Sequence, residues 1–443
     1  MSQRLILLAS ARTYRNEAFT VAARKLGLEV VLGLDAPPPL LAQMEGCLAL
    51  DYRAPERALK TLLRYATANP PRAILGVDDF GAVLAARASA ALGLPHNAAD
   101  SVEAAGDKAE MRRRFRAAGV PSPVFHVAHF TDEVEALLRA VTQFIGFPCV
   151  LKPTRLSASK GVMRADTPDE FRHRFARLRP ILEKSGCEEL IVEAFIPGVE
   201  VALEGLLDHG RLHVLALFDK PDPLDGPFFE ETIYVTPSRL PEATQRAIAQ
   251  TTERACAALG LREGPVHAEL RHLTPLPPLP SATRELIAAA SSRALRRGGA
   301  EGGGEVIVEV AARSIGGLCS QVLKFAERAD QSLEELILRQ ACGLPFDPQR
   351  GPGAGGVMMI PIPAAGLLRA VSGVPEAERG PLIEKVAITA PLNYPLVPLP
   401  EGDSYLGFIF ALGATPAEVE AALRAAQAQL KFEIEPEIVL VAS

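Results

Sequence analysis

The first hundred residues alternate short apolar runs with amphipathic stretches, and this alternation constrains the fold more than any other feature of the chain. The apolar runs are LILLA, EVVLGL, GCLAL and AILGV, and the stretches between them predict helices over Asn16–Leu26, Pro55–Ala68 and Ala82–Leu92. A β-α-β alternation of this kind predicts a parallel sheet covered by helices. The loop after the first strand, SARTYRNE, has no glycine, so the pattern does not fit a dinucleotide-binding domain.

Later segments mix strands and helices in a less regular order. Asp107 is placed to cap a helix that runs to Ala118, and the turn at 208–210 predicts a β-hairpin. Two strand-like segments, GPVHAELR and EVIVEVAAR, flank a stretch at 273–304 with Pro- and Gly-rich ends, which we interpret as an insertion at the tip of one hairpin. The 443 residues are enough for several domains, and we expect them at 1–100, 101–200, 201–340 and 341–443.

Composition and charge exclude several classes of protein. A net charge of −6 disfavours a nucleic-acid-binding scaffold, which would usually be basic. The six cysteines form no C-x-x-C pair, so a zinc site or a disulfide framework is not expected and a reducing compartment fits. The apolar runs are too short for a signal peptide or a transmembrane helix. We therefore expect a soluble cytoplasmic protein that binds neither nucleic acid nor a membrane.

The segment VLKPTRLSASKGV, residues 150–162, has two interpretations. Lys152 stands at the end of an apolar strand, and the small or basic residues that follow include Ser157, Ser159, Lys160 and Gly161. A surface turn would explain this composition. A phosphate cradle would explain it too, because small residues let backbone N–H groups approach an anion and lysines neutralise it. The segment has a single glycine, so it matches neither a Walker A loop nor a dinucleotide fingerprint, and both interpretations stay open.

Several glutamates lie inside apolar, strand-like segments. Glu269 is in HAEL and Glu309 is in VIVEVAAR, and a carboxylate in such a place is costly unless it is paired or bound to a metal. On adjacent antiparallel strands the two could share a divalent cation, and oxygen ligands suit Mg²⁺. Arg313 follows Glu309 closely and could stabilise charge on a transferring phosphoryl group. The alternative is that each glutamate lies at a sheet edge or pairs with an arginine.

Taken in order, these motifs resemble the ATP-grasp superfamily of carboxylate–amine ligases. The ordered series is DK (107–108), VLKP (150–153), SASKGV (157–162), IVEAFIPGVE (191–200), HAEL (267–270) and EVAARSIGG (309–317). The chain looks most similar to the L-amino acid ligases that make dipeptides, and the resemblance covers residues 1–435. It implies a multidomain α/β and α+β protein with the ATP-grasp fold and an N-terminal, Rossmann-like parallel-sheet domain.

The resemblance also implies how ATP would be bound. Lys108 and Lys152 would contact the phosphates, and the loop at 155–162 would fold over the β- and γ-phosphates. This loop contains Ser157, Ser159, Lys160 and Gly161. The hinge that follows the next strand would hold adenine and ribose, through Glu193, Phe195 and Glu200.

The resemblance assigns the metal and the second substrate as well. Glu269 and Glu309 would bind Mg²⁺, or Mn²⁺ in its place. Arg313 would steady an acyl-phosphate intermediate, with Gly316 and Gly317 giving the substrate room. In FFEETIYVTPS, the acid corresponding to the one in the dipeptide ligases is Glu231, and Tyr234 stands where we expect histidine. Ala311 occupies a position that is asparagine in many ATP-grasp enzymes, so the metal would need another oxygen ligand.

The implied reaction is an ATP-dependent ligation of a carboxylate to an amine. ATP would activate the carboxylate as an acyl phosphate, the products would include ADP and phosphate, and amino acids would be the substrates. A homodimer fits the family. One alternative is an ATP-grasp enzyme of the purine-biosynthesis or carboxylase type that acts on another acid. Another is a nucleotide-binding protein without turnover.

Overall fold

The N-terminal residues form the parallel sheet that the sequence predicts. Its strands, ordered β3-β2-β1-β4, are β1 (Arg4–Ala9), β2 (Glu29–Asp35), β3 (Cys47–Leu50) and β4 (Ala73–Gly76). The helices between and after them are α1 (Asn16–Lys25), α2 (Pro55–Ala68) and α3 (Asp79–Leu92). Both faces of β1 are buried: Leu5 and Leu7 pack into one core with Phe19, while Ile6 packs into another with Leu62. Burial on both faces explains the nearly continuous apolar runs.

A second, antiparallel sheet follows and forms a small layer of its own. After α4 (Ala99–Ala105) and α5 (Lys108–Ala117), its strands are β5 (Phe125–His129), β6 (Cys149–Pro153), β7 (Met163–Ala165) and β8 (Glu189–Ala194), in the order β5-β8-β6-β7. The helices α6 (Val134–Phe144) and α7 (Pro168–Ser185) pack with this sheet around Phe171 and Phe175. The Asp107 side chain accepts hydrogen bonds from the first turn of α5, which confirms the predicted cap.

The remaining elements build a large antiparallel sheet and a small one. The strands are β9 (Val199–Asp208), β10 (Arg211–Asp219), β11 (Ile233–Thr236), β12 (Gly264–His272), β13 (Glu305–Ala311), β14 (Ala354–Ile360), β15 (Gly366–Ser372), β16 (Ile383–Ile388), β17 (Pro395–Leu396), β18 (Gly407–Gly413) and β19 (Lys431–Glu435). The eight-stranded sheet has the order β13-β12-β9-β10-β11-β14-β18-β16, and β17-β15-β19 form the three-stranded sheet. The helices are α8 (Glu242–Leu259), α9 (Leu333–Ala341), α10 (Val374–Glu378) and α11 (Pro416–Gln427), with a 3₁₀ turn at Cys319–Val322.

Two hairpins that the sequence predicts are present in the eight-stranded sheet. His209 and Gly210, both with positive φ (52° and 88°), connect β9 to β10, and such a turn matches the twist of the flanking strands. The strands β12 and β13 pair antiparallel on either side of the expected insertion. The register of this second hairpin decides which side chains meet in the site.

The computed structural model describes residues 3–10, 13, 15–36, 46–273, 304–326 and 330–436. The expected insertion at 273–304 therefore lies almost entirely outside the described residues. Within the described ranges, no helix combines the length and hydrophobicity needed to cross a lipid bilayer.

Candidate active site

A cavity of about 720 Å³ lies where the sheets meet. It is lined by the loops that follow β1 and β4, by β6 and β8, by the β12–β13 pair and by residues between 389 and 408. Its volume is within the range of small-molecule pockets, roughly 300–1,000 Å³. The residues that the sequence singles out line this cavity, with the exception of Lys160 and Gly161. Side chains that are distant in the sequence therefore share one space.

Two carboxylates face each other on neighbouring strands of this cavity. Glu269 on β12 is directly opposite Glu309 on β13, and both line the cavity. Directly opposite residues in an antiparallel pair project from the same face, with Cβ atoms roughly 4.5–5.5 Å apart. The ammonium of Lys108 lies 3.3 Å from a Glu309 oxygen. Hard oxygen donors placed in this way suit Mg²⁺ or Mn²⁺, so these side chains fit the expected divalent cation.

A buried lysine that is not among the predicted site residues contacts three of the carboxylates that line the cavity. The Lys220 side chain is 2% exposed, and its Nζ donates to Oε1 of Glu200 (2.8 Å), Glu231 (2.7 Å) and Glu269 (2.7 Å). Burial disfavours the charged amine, but the three carboxylates outweigh burial and raise the pKa of Lys220 well above its usual value. The sequence pattern that could have indicated Lys220 is LHVLALFDK, in which a lysine follows an apolar strand, as Lys152 does in VLKP.

The three carboxylates around Lys220 differ in their pKa shifts and in their other contacts. Burial raises the pKa of Glu231 to about 7, although Lys220 opposes this shift. Burial also disfavours the charged form of Glu269, but Lys220 and His267, whose Nε2 lies 3.6 Å from Glu269 Oε1, together outweigh burial and hold the pKa of Glu269 well below its ordinary value. Glu200 has both oxygens engaged, one by Lys220 and the other by Arg271 Nε at 3.0 Å. The expected contact of Glu200 with ribose would therefore compete with these two cations.

Glu193 lies in a buried ion triad beside the cavity. Its side chain is 1% exposed, with one oxygen 2.7 Å from Arg112 Nε and the other 2.8 Å from Lys152 Nζ. Burial disfavours the charged carboxylate, but Arg112 and Lys152 outweigh burial and lower the pKa of Glu193. The resemblance implies that Glu193 holds adenine, and this remains a prediction. In the structure the Glu193 carboxylate also pairs with Lys152, and Glu193 lines the cavity together with Ala194, Phe195 and Ile196.

We expect Glu193→Gln to destabilise the protein by about 3 kcal/mol, because the fully buried Arg112 would lose its counter-charge. The pKa of Glu193 is lowered by folding, so its stabilising effect is complete above its ordinary value, about 4.3, and is lost as the pH falls through the folded value. Urea unfolding at pH 7 and pH 4 would measure both effects, and the variant should show the weaker acid dependence.

The matched control is Glu135→Gln, which removes an exposed ion pair with Arg172. Exposed pairs contribute little, so the urea midpoint should hardly change. Equal effects of the two substitutions would contradict a special role for the buried triad.

The predicted phosphate loop is divided between the cavity and a neighbouring segment. Ser157 and Ser159 line the cavity, whereas Lys160 Nζ lies 2.9 Å from Asp403 and the Gly161 N–H donates to the Pro400 carbonyl at 2.8 Å. Left-handed backbone occurs in the loop, including φ of 55° at Ser159 and 74° at Gly161. The bidentate pair of Arg177 with Glu401, at 2.6 and 2.8 Å, reinforces this contact with 400–403.

Arg313 joins the cavity to the N-terminal parallel sheet. Its Nε lies 3.0 Å from Asp79 at the start of α3. Desolvation disfavours the charged carboxylate of Asp79, whose side chain is 46% exposed, but Arg313, together with Arg15 and Lys108, lowers the pKa of Asp79. Gly317 has a φ of 59°, and a Cβ there would lie 2.6 Å from the Met359 sulfur, so this glycine makes room for Met359. Gly316 lines the cavity beside it.

Tyr234 lies in the strand β11 and packs against the same cavity. It is 2% exposed, its ring meets Phe218 edge-on at 5.9 Å, and Lys220 Nζ lies 4.9 Å from the ring centroid. Burial raises the pKa of Tyr234 well above its usual value. The ring therefore contributes to packing and to the surroundings of the Lys220 ammonium.

Comparison with known proteins agrees with this geometry. Family models match residues 19–96 as an ATP-grasp N-terminal domain and residues 145–276 as an ATP-grasp domain. These two matches identify ATP-grasp domains within the chain. Its residues 358–435 match the L-amino acid ligase C-terminal domain 2, which confirms the more specific resemblance.

Individual relatives support the same assignment. Alanine–anticapsin ligase of Bacillus subtilis (strain 168) is 26% identical over 241 residues, which are 50% of each chain. D-alanine–D-alanine ligase of Verminephrobacter eiseniae is 29% identical over 168 residues, which are 35% of this chain and 47% of the relative. The chain thus spans about half the length of these curated relatives. The crystal structure of an L-amino acid ligase from Bacillus licheniformis superposes with a TM-score of 0.77 at 24% identity, covering 98% of this chain and 100% of the other, and confirms the fold.

Proposed function

We propose that the protein is an ATP-dependent ligase that joins the carboxylate of one amino acid to the amine of another. The observation that carries this proposal is the facing pair Glu269 and Glu309 in a cavity that also presents Lys108, Lys152 and Arg313. Carboxylates opposite each other bind a divalent cation, and cations around them neutralise phosphates. The match of 358–435 to an L-amino acid ligase domain favours amino acids over purine intermediates as substrates.

In the proposed reaction, a substrate carboxylate oxygen bonds to the γ-phosphorus of ATP while the bond to the bridging oxygen breaks, and ADP leaves. The amine nitrogen then bonds to the acyl carbon, the carbon–oxygen bond to phosphate breaks, and the nitrogen loses a proton. A Mg²⁺ or Mn²⁺ held by Glu269 and Glu309 would supply charge neutralisation for the phosphates. Catalysis rests on positioning and on charge stabilisation of the transferring group.

The chain's own residues have distinct tasks in this scheme. Lys108 and Lys152 contact the phosphates, and the buried Glu193 holds Lys152 in place at 2.8 Å. Ser157 and Ser159 line the space over the phosphates. Arg313 faces the charge that develops on the acyl phosphate. We assign Lys160 and Gly161 to closing the phosphate loop, since both contact the 400–403 segment.

The amine-binding side is assigned to the acidic half of the cavity. Glu231 lines the cavity and accepts from Lys220 through Oε1, and we assign its carboxylate to accept from a substrate ammonium as well. Tyr234 borders this position. Adenine is assigned to the hinge at Phe195, and ribose to the vicinity of Glu200.

We place this reaction in the cytoplasm, because the six cysteines are all free thiols, which suits a reducing compartment. A homodimer is a further proposal, which light scattering of the purified protein would test.

We expect turnover to release ADP and phosphate and to require both an amino-acid carboxylate and an amine. A panel of amino-acid pairs should show phosphate release for a subset of pairs, with a product mass equal to the two amino acids minus one water. The assays are phosphate release, nucleotide chromatography and mass spectrometry. Stoichiometric AMP and pyrophosphate would exclude the proposed mechanism. Nucleotide binding without phosphate release across the whole panel would exclude the ligase function.

A further inference from the structure

The three carboxylates around Lys220 form the kind of cluster that holds a metal ion. Oxygens of Glu200, Glu231 and Glu269 all lie within 4.8 Å of one another. Without a cation between them, three carboxylates in a partly buried place would repel one another. The cation on which they converge in the structure is the ammonium of Lys220, which lies 2.7–2.8 Å from an oxygen of each.

The Lys220 ammonium has one carboxylate acceptor for each of its N–H donors. A lysine ammonium has three N–H donors, and Lys220 meets three carboxylate acceptors at hydrogen-bond distance. An ion such as Mg²⁺ would need its oxygens about 2.0–2.1 Å away at the same central point. The ammonium and a metal ion therefore exclude each other from this position.

The rest of the cluster is arranged around a fixed central cation. The remaining oxygen of Glu200 accepts from Arg271 Nε at 3.0 Å, and Arg271 is itself 3% exposed. On the other side, Glu269 faces Glu309 across the strand pair. Glu269 thus belongs to two acidic groups at once: the cluster around Lys220, and the pair with Glu309, beside which the Lys108 ammonium lies 3.3 Å from a Glu309 oxygen.

We propose that Lys220 is a positioning residue that acts as a permanent internal cation and keeps divalent ions out of the Glu200–Glu231–Glu269 cluster. The divalent ion is thereby confined to Glu269 and Glu309, next to the phosphates. Glu231 is kept in place for the ammonium of the amino substrate, and this last role rests on the proposed function. Exclusion of metal from the cluster does not depend on that function.

The first test is Mn²⁺ binding without nucleotide or amino acid, followed by electron paramagnetic resonance. Lys220→Met removes the charge and keeps a similar side-chain length, so we expect about one additional Mn²⁺ per chain. Lys220→Arg, which keeps the charge, should not gain this ion, and the double variant Lys220→Met with Glu231→Gln should lose most of the gain. The control is Lys25→Met, which removes a lysine paired with Glu335 at 2.8 Å elsewhere and should leave the Mn²⁺ count unchanged.

A folded Lys220→Met protein that binds no more Mn²⁺ than the unaltered protein would overturn the proposal. If Lys220→Met folds only when Mn²⁺ or Mg²⁺ is added, the metal has replaced the ammonium and the proposal is supported.

A second test keeps Lys220 in place, so it remains decisive if Lys220→Met does not fold. Any Mn²⁺ bound by the unaltered chain should be lost in Glu309→Gln and retained in Glu231→Gln. The reverse pattern, loss in Glu231→Gln and retention in Glu309→Gln, would place the ion inside the Lys220 cluster and overturn the proposal. Absence of bound Mn²⁺ in the unaltered chain would contradict confinement of the ion to Glu269 and Glu309. Neither test uses turnover, so failure of the ligase function would leave their outcome interpretable.

Discussion

Glu309→Gln is expected to lower kcat by about 10²- to 10³-fold while the fold is retained, because the change removes a metal-facing charge and keeps the shape of the side chain. Of the two facing carboxylates, Glu309 is the one whose oxygen lies 3.3 Å from Lys108 Nζ, and it lines the cavity. Circular dichroism would check the fold. Phosphate release at several Mg²⁺ concentrations would measure the loss, which should be only partly recovered at high Mg²⁺.

The matched control is Glu384→Gln, which changes an exposed strand glutamate on β16. Its kinetics should equal those of the unaltered protein. Near-normal turnover of Glu309→Gln at limiting Mg²⁺ would show that this carboxylate is structural and that the metal is held elsewhere.

Arg313→Met is expected to reduce kcat by about 10³-fold, a loss comparable to removal of an arginine that stabilises a transferring phosphoryl group. The KM for ATP should change much less, because the proposed charge appears only as the phosphoryl group moves. Steady-state kinetics with ATP and each amino substrate would separate the two constants.

Arg313 also pairs with Asp79 at 3.0 Å, so its loss could act through the contact with the N-terminal domain. Asp79→Asn removes that pair and keeps the guanidinium, and it should cost less than about tenfold in kcat. If Asp79→Asn were as damaging as Arg313→Met, Arg313 would be important as a domain contact and not as a stabiliser of the reacting group.

Features of the fold that depend on local pattern were predictable from the sequence. The parallel sheet follows from apolar runs buried on both faces, and the helix cap at Asp107 follows from its position before a helical stretch. The sequence also predicted that the segments now seen as β12 and β13 pair as a hairpin, on which Glu269 and Glu309 could share a face. Their direct opposition depends on the register, which shifts between Glu269 and Leu270 and was not predictable.

The partners of the site residues were not predictable in the same way. Lys220 meets Glu200, Glu231 and Glu269, which reach it from β9, from the segment before β11 and from β12. Arg112 on α5 reaches Glu193 on β8 at 2.7 Å. The Lys220 contacts depend on the order and register of strands within the eight-stranded sheet, and the Arg112 contact depends on how α5 packs against β8. No periodicity or spacing in the sequence encodes either arrangement. The acidic residues were recognised as unusual, but the cations that stabilise them were not.

The contact between the phosphate loop and the 400–403 segment has a consequence for the proposed turnover. Lys160 and Asp403 are 243 residues apart in the chain, yet their ion pair, together with that of Arg177 on α7 and Glu401, joins the loop and α7 to this later segment. Both pairs are partly exposed, so dissolved salt screens them more than it screens the buried charges around Lys152 and Lys220. Under the proposed function, ionic strength should therefore affect release of a bound molecule from beneath the loop more than it affects the chemical step.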